Sequence, residues 1–571
     1  MNIFLSYKAL LKKSPLARFL SIFILLLIII AVTSILGKTS KRKPSISEIS
    51  PMIGSPGDTM IIKGKDFGES KNSSYVEIAG SKITSTYYIS WNENEIQFKL
   101  PQNVQDGLVI VGTSAGRSEP EFFANKYLIP VAVKSDPQQS FPTITSITPE
   151  NASIGESIII SGTNFGSTRG NSVVYFTANR DSIINSNVDS NFSNSKEIEN
   201  TYIAASSFDY DYELWSDNEI HIKVPDGADS GSVFVSTAKG DSSSSKITIK
   251  FNNGKKKYFN HRTYVVQVTA DISSNEVSQN STLSLYVPRP AVSSLQPSAD
   301  LNECVPEPLI ADDPNDIIHQ IQLNHLENNK QNFSQTFVVS SYSMESNINS
   351  RNIMPFRNLD SPIYKIYTSS DSCIQSENSV IKNLASSIVG RERYPVEKAR
   401  LLYNYILNNY EILEKTRFGE EYDISQMIKT KKGDAYDFAI MFTTLCRAAE
   451  IPAIPVSGIL IENNSQTRVH WWSELYFENY GWFPVDVALA AGLDFESFTN
   501  IENPATYFFG NLDNQHIAFS RGWKQIKASL FNSKIVYRPR TYALQSIWEE
   551  SSDSTSSYSS LWNNPVIIGI Y

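Results

Sequence analysis

The chain has 571 residues, 41% of them hydrophobic and 11% aromatic, with a formal net charge of −9. A chain this long exceeds what one hydrophobic core supports, so roughly three to five domains are expected. No basic surplus is present to neutralise phosphates, which excludes nucleic acid as a principal partner.

Three cysteines, Cys304, Cys373 and Cys446, are too few for a disulfide framework and do not form a zinc signature. Cys304 and Cys373 either pair in an oxidising compartment or stay as free thiols.

In chain order, the first feature is residues 19–37, FLSIFILLLIIIAVTSILG, which carry no charge. As a helix they reach about 28 Å, enough for a bilayer core. No small-x-small exit follows and no cysteine is placed to take lipid, so an uncleaved transmembrane anchor is expected rather than a signal peptide. Lysines and arginines balance on the two sides, so the positive-inside rule assigns no orientation. A short cytoplasmic stretch (1–18) with the bulk outside, periplasmic or at the cell surface, rests on the kind of domain that follows.

The segment PSISEISPMIGSPGDTMIIKGKDFG at 44–68 recurs as PTITSITPENASIGESIIISGTNFG at 142–166, at a constant offset of 98 (142 − 44). The second halves also match, at an offset of 124 from Trp91 to Trp215, which puts 26 extra residues inside the second copy. They fall around 179–212, rich in Asn, Ser and Asp, and are expected as a long exposed loop. Short alternating apolar runs between Gly, Pro and Asn give the grammar of antiparallel sandwiches. The pattern I-x-x-I-x-P…G-x-x-x-x-I-x-G-x-x-F-G resembles the IPT/TIG family of immunoglobulin-like domains, over 45–131 and 142–251. The resemblance implies spacer or adhesive modules of bacterial surface proteins, and neither copy holds an ionisable cluster suggestive of chemistry.

The run Lys255-Lys256-Lys257 is expected as a solvated linker. Strand-like stretches YVVQVTADI, TLSLYVP and TFVVSSYSM then mark a β-rich linker domain over 258–375. The acidic stretch at 303–316 lacks the spacing of a calcium loop and reads as a plain loop. From Ser379 the period turns helical. SVIKNLASSIVG forms one amphipathic helix. Pro395 opens a second whose stripe is Val396, Ala399, Leu402, Tyr403, Ile406 and Tyr410.

The richest stretch is GDAYDFAIMFTTLCRAAEIPA from Gly433, followed by HWWSELYF from His470 and GWFPVD ending at Asp486. Together these resemble the transglutaminase-like superfamily, whose pattern is G-x-C-x-D/E-x-A…R-x-x-G-I-P-A, then H-x-W-x-E, then G-W-x-x-x-D. The resemblance implies a papain-like α+β domain, set at 376–545. In such a site a thiol at a helix N-terminus is activated by the helix dipole and an imidazole, and a carboxylate fixes the histidine tautomer. His470 and Asp486 hold the second and third places, with Trp471, Trp472 and Trp482 expected to wall a cleft. The nucleophile's place is taken by Ala435.

A methyl group cannot attack a carbonyl, and loss of a triad nucleophile removes on the order of 10⁶ in turnover. A further departure is Glu450, where the family has Gly at the helix end. Cys446 shares the face of Ala435 but stands about 16 Å along the helix, out of reach of His470. Asp434 and Tyr436 flank the site and are candidates for ligand contact, although Asp434 and Asp437 point about 100° and 200° from residue 435.

The six histidines look scattered and no H-E-x-x-H appears, so no metal and no cofactor are expected. His516 reads as structural, residues 546–571 as a Ser-rich tail, and NPVIIGIY as a strand that could dock. The chain as a whole is expected to be multidomain: an N-terminal transmembrane helix, two immunoglobulin-like sandwiches, a β-rich linker and a papain-like domain. The leading reading is a pseudoenzyme whose degenerate cleft binds peptide, protein or cell-wall glycan. A structural or adhesive surface protein, and a cysteine-type protease or transamidase with an unconventional nucleophile, are the alternatives.

Overall fold

The computed structural model describes residues 14–16, 42–125, 141–178, 180, 202–274 and 281–571, except 103, 314, 327–328, 419–423, 463–465, 524–525, 527–532, 539, 545–546 and 553–556. The expected anchor at 19–37 lies outside the described residues, among which no helix is long and apolar enough to cross a membrane. The chain divides into two compact units, residues 1–132 and 133–571.

The first unit holds one sandwich. One of its sheets runs in the order 45–50, 59–65, 95–99, 88–91, and Ile62, Phe67, Ile96 and Phe98 are completely buried in its core. The second sandwich repeats that order with 143–148, 157–163, 219–223 and 212–215, over Ile160, Ile220 and Ile222.

The repeat extends to individual hydrogen bonds. The Tyr88 hydroxyl accepts from Val76 N at 2.7 Å and the Tyr212 hydroxyl from Val174 N at 3.1 Å. Trp91 and Trp215 each donate the indole N–H to a carbonyl, of Phe67 and Phe165, at 3.1 and 3.2 Å. The paired glycines Gly64 and Gly162 are required sterically. A Cβ there would stand 2.0 Å from the Ser45 carbonyl and 2.1 Å from that of Thr143.

The β-rich domain is built on a long antiparallel pair, Gly254–Ser274 with Lys330–Ile348. Residues set apart as a tail complete it. Tyr558–Trp562 and Val566–Ile570 both pair with Gly254–Ser274, and Trp548–Ser551 joins Thr282–Pro288 and Lys534–Tyr537 in a second sheet. The α+β domain is therefore an insertion between strands of this β domain. Sequence periodicity could not show it, because the paired strands lie almost 300 positions apart.

Within the insertion, helices α1 (Ser379–Val389), α2 (Pro395–Asn409) and α3 (Ala435–Ala448) accompany a four-stranded antiparallel sheet. Its strands are β1 (Ala453–Ile461), β2 (Thr467–Phe477), β3 (Gly481–Val485) and β4 (His516–Arg521), in the order β3-β2-β1-β4. Helix α3 is buried on all sides because it is the central element: every residue from Ala435 to Arg447 is buried, Asp437, Thr443, Thr444 and Arg447 included. It lies against β2, where the Ser473 hydroxyl meets Thr443 Oγ1 at 2.9 Å and the Ala439 carbonyl at 3.1 Å.

Two expectations need correction. Lys256 is not part of a solvated linker: it is 6% exposed and ion-paired with Asp226 of the second sandwich. The described part of the insertion at 179–212 is not an exposed loop either. Ile203, Ala205, Asp209 and Asp211 are buried, and Asp209 accepts from Trp482 Nε1 at 2.8 Å. Ile203 and Ala205 join the second sandwich's own core, while Phe208 and Asp209 are met by Trp482 and Arg521 of the neighbouring domain, which local composition does not report.

Candidate functional site

The site begins at the N-terminus of α3. Asp434 is its N-cap and Asp437 its third residue, and they form a reciprocal capping box: Asp437 N donates to Asp434 Oδ1 at 3.1 Å, and Asp434 N to Asp437 Oδ2 at 3.0 Å. Arg540 clamps both carboxylates, with Nη1 2.8 and 2.9 Å from the two Asp434 oxygens and Nη2 2.8 Å from Asp437 Oδ1. Arg417 adds its backbone N–H to Asp434 at 2.8 Å and its guanidinium to Asp437. Asp434 is thus spent on holding the helix end, and Ala435 follows as the first helical residue, 5% exposed.

Tyr436 is equally buried. Its ring meets Trp471 edge-on at 5.5 Å, its hydroxyl lies 3.5 Å from Cys373 Sγ, and the Arg540 guanidinium sits over it at 4.5 Å. At the other end, Glu450 takes φ +66°, the left-handed conformation for which glycine is suited. Ile451 N donates to the Cys446 carbonyl and Glu450 N to that of Arg447, so the helix closes normally with glutamate in glycine's place.

The histidine and aspartate come together. His470 on β2 and Asp486, at the end of β3, are both fully buried, with Nε2 and Oδ2 2.5 Å apart. Asp486 Oδ1 also accepts from Leu489 N at 2.9 Å, capping the following short helix. A second histidine completes the chain: His516 Nε2 lies 3.2 Å from the same Asp486 oxygen, and its Nδ1 2.7 Å from Asp513 Oδ1. His516, read from sequence as structural, therefore belongs to the site. The ring of Trp472 is stacked near His470 at 6.3 Å and edge-on to His516 at 5.1 Å.

Electrostatics fix the proton positions. Burial works against the Asp486 carboxylate, but the two histidines outweigh it and hold its pKa below the usual range. Burial alone would lower His516, yet Asp513 and Asp486 on either side raise it to about 9, so it is an imidazolium at neutral pH. His470 is lowered, chiefly by desolvation and against the pull of Asp486. An ionised Asp486 can only accept, so His470 Nε2 carries the proton and Nδ1 is left with a lone pair. Among the described residues that buried Nδ1 has no hydrogen-bond partner, and the Ala435 methyl can supply none. The arrangement keeps a neutral base and its orienting carboxylate, with no thiol at the helix end for the base to deprotonate.

Other thiols do not fill the gap. Burial pushes Cys446 well up, and raises Cys373 to about 12. Cys304 and Cys373 are unpaired as disulfides, Cys304 lying 3.8 Å from His319. The histidines are less scattered than they look in sequence, since ligand atoms of His470, Asp486 and His516 all lie within 4.8 Å of one another. The 2.5 Å separation of His470 and Asp486 is nevertheless shorter than two ligands of one zinc ion allow at bond lengths of about 2.0–2.2 Å. The trio is a hydrogen-bonded chain rather than an ion cradle. Trp482 stands apart from it. It donates to Asp209 and lies over Arg521 at 5.0 Å, facing the second sandwich.

Comparison with known proteins agrees with this architecture. Residues 382–487 match the transglutaminase-like superfamily model, and 44–123 and 142–251 match the IPT/TIG domain. An uncharacterized protein of Haemophilus influenzae is 25% identical over 171 residues, which are 25% of this chain and 46% of that one. The cyclomaltodextrin glucanotransferase of Paenibacillus macerans is 30% identical over 87 residues, 15% of this chain and 12% of the enzyme. The chain therefore spans less than half the length of either relative. Among solved structures, a candidate cysteine protease from Cytophaga hutchinsonii aligns at 14% identity over 56% of this chain and 92% of that one, with a TM-score of 0.36. With Ala435, His470 and Asp486 placed as described, the chain carries a transglutaminase-like core domain preceded by two IPT/TIG domains.

Proposed function

We propose that this is a membrane-anchored, extracytoplasmic pseudoenzyme, which holds peptide or cell-wall material through its transglutaminase-like domain without cutting it. One observation carries the reading. His470 and Asp486 are assembled as a base and its orienter, while the helix position that should supply the nucleophile is a methyl group and His470 Nδ1 has no partner among the described residues. The uncharged segment 19–37 supports the anchor, and the paired sandwiches support display outside the membrane.

The test is covalent capture. Incubated with an activated acyl ester, the wild-type protein should show no acyl adduct on the peptide around residue 435 or on a cysteine by mass spectrometry. Ala435→Cys should restore a thiol at the helix N-terminus that reacts with iodoacetamide faster than the wholly buried Cys446. An acyl-enzyme on the wild-type chain would overturn the reading.

A structural or adhesive role is favoured by a separate observation. The second sandwich meets the α+β domain through a buried ion pair, Asp209 with Arg521 at 3.6 Å, and the same guanidinium is held within the α+β domain by Glu474 at 2.7 Å. The contact ties the two into one scaffold.

A further inference from the structure

Where the second sandwich, the β-rich domain and the edge strand β4 meet, the chain forms a half-open cavity of about 720 Å³. Neither Ala435, His470 nor Asp486 lines it. Its size falls within the ~300–1,000 Å³ of small-molecule sites, which favour domain junctions. We propose that this cavity binds a neutral oligosaccharide.

The first reason is a set of braced aromatic rings. Tyr175 and Tyr202 both contribute to the wall and both rest on Phe234, the first stacked at 5.0 Å and 17°, the second edge-on at 4.9 Å and 88°. From the β domain comes Trp548, stacked on Tyr286 at 3.6 Å and 10°. All three wall rings are half-buried, and their supports fix their planes. A sugar ring presents an apolar C–H face to such platforms, and binding it there needs little ordering of the protein.

The second reason is the polar complement. Sugar hydroxyls donate and accept at once, so a site for them needs both kinds of partner. The cavity offers guanidiniums from Arg180 and Arg289 and carboxylates from Asp312 and Asp313. Arg289 is steadied at the rim by the carbonyls of Ala311 at 2.6 Å and Asp313 at 3.4 Å. With three arginines and five aspartates among the described residues of the lining, both signs are interspersed and the site is not built for a polyanion.

A peptide fits less well. Among the described residues the sheet edge at the cavity is the three-residue strand Tyr202–Ala204, and the Tyr202 carbonyl accepts from Arg180 Nη1 at 3.3 Å. Strand addition would find almost no ladder to extend.

The test is calorimetric titration of the full-length protein with maltohexaose, cellohexaose and chitohexaose. At least one should bind, and Tyr202→Ala and Arg289→Ala should each weaken it about tenfold, the loss of one aromatic or polar contact. Tyr202→Phe, which keeps the ring, should retain affinity and controls for folding. Three outcomes overturn the proposal: no binding by any of the three at millimolar concentration, binding that neither alanine variant weakens, or tighter binding of hexa-alanine than of every sugar. Thiol reactivity at position 435 reads the other site, so either result can fail alone.

Discussion

The two IPT/TIG sandwiches share a strand order, a set of glycines and even side-chain hydrogen bonds, yet they stand differently in the molecule. The first belongs to its own compact unit. The second has turned one end into a docking surface. Pro101 and Pro225 correspond, but the next residue is Gln102 in one copy and Asp226 in the other. Asp226 pairs with the buried Lys256 and accepts from Ser294 Oγ at 2.8 Å. The extra residues of the second copy bring Asp209 to Trp482 and Arg521. A fold repeated nearly bond for bond thus serves as a separate module once and as part of a joint core once. A few charged residues outside the shared motif decide which.

Breaking that joint core should give the largest effect. Arg521 is buried between Glu474, Asp209, Phe208 and Trp482. Arg521→Ala leaves the Glu474 carboxylate buried and without its guanidinium, a loss of about 3–5 kcal/mol. In urea denaturation the transition of the second unit should move sharply while that of the first sandwich stays in place. Equal shifts in both would mean that the two copies are not energetically separate.

A smaller effect comes from pH. His516 has a folded pKa of about 9, against 6.5 for the free group. Its contribution is therefore fully present below pH 6.5 and lost as pH rises through about 9, and amounts to roughly 3 kcal/mol at most. Asp486, held below its usual range, stays ionised throughout and adds no slope there. The first sandwich, 44–123, contains no histidine. Thermal melts from pH 6 to 9.5 should lower the second unit's transition alone, and His516→Gln should flatten that slope.

Much of the molecule was legible in sequence because its signals are local. The I-x-x-I-x-P…F-G repeat located both sandwiches, and the spacing of Ala435, His470 and Asp486 assembled the degenerate site. What stayed hidden is non-local. Arg540 clamps Asp434 from 106 positions away, and His516 closes on Asp486 from 30 positions on. Neither stretch carries a local pattern that names the residue it will meet. Periodicity says which face a residue takes, not which element will meet it. The same reason hid the return of 548–562 to the β domain, whereas the final strand in NPVIIGIY was expected and only its partner was not.

The smallest test compares two equivalent glycines. Gly57 and Gly155 both take positive φ, +89° and +78°, so alanine at either costs about 1–2 kcal/mol in the left-handed region. Their surroundings differ. A Cβ at Gly57 would meet nothing within 4 Å, whereas at Gly155 it would stand 2.7 Å from the hydroxyl of Tyr476 on β2. Tyr476 is itself buried and packed edge-on against Trp482 at 5.2 Å, so the ring can tilt only slightly. Gly155→Ala should therefore cost about 1 kcal/mol more than Gly57→Ala, the low end for overpacking. Because the backbone penalty is common to both, the difference isolates the docked face. Equal losses in paired denaturation curves would mean that the second sandwich makes no tight contact there.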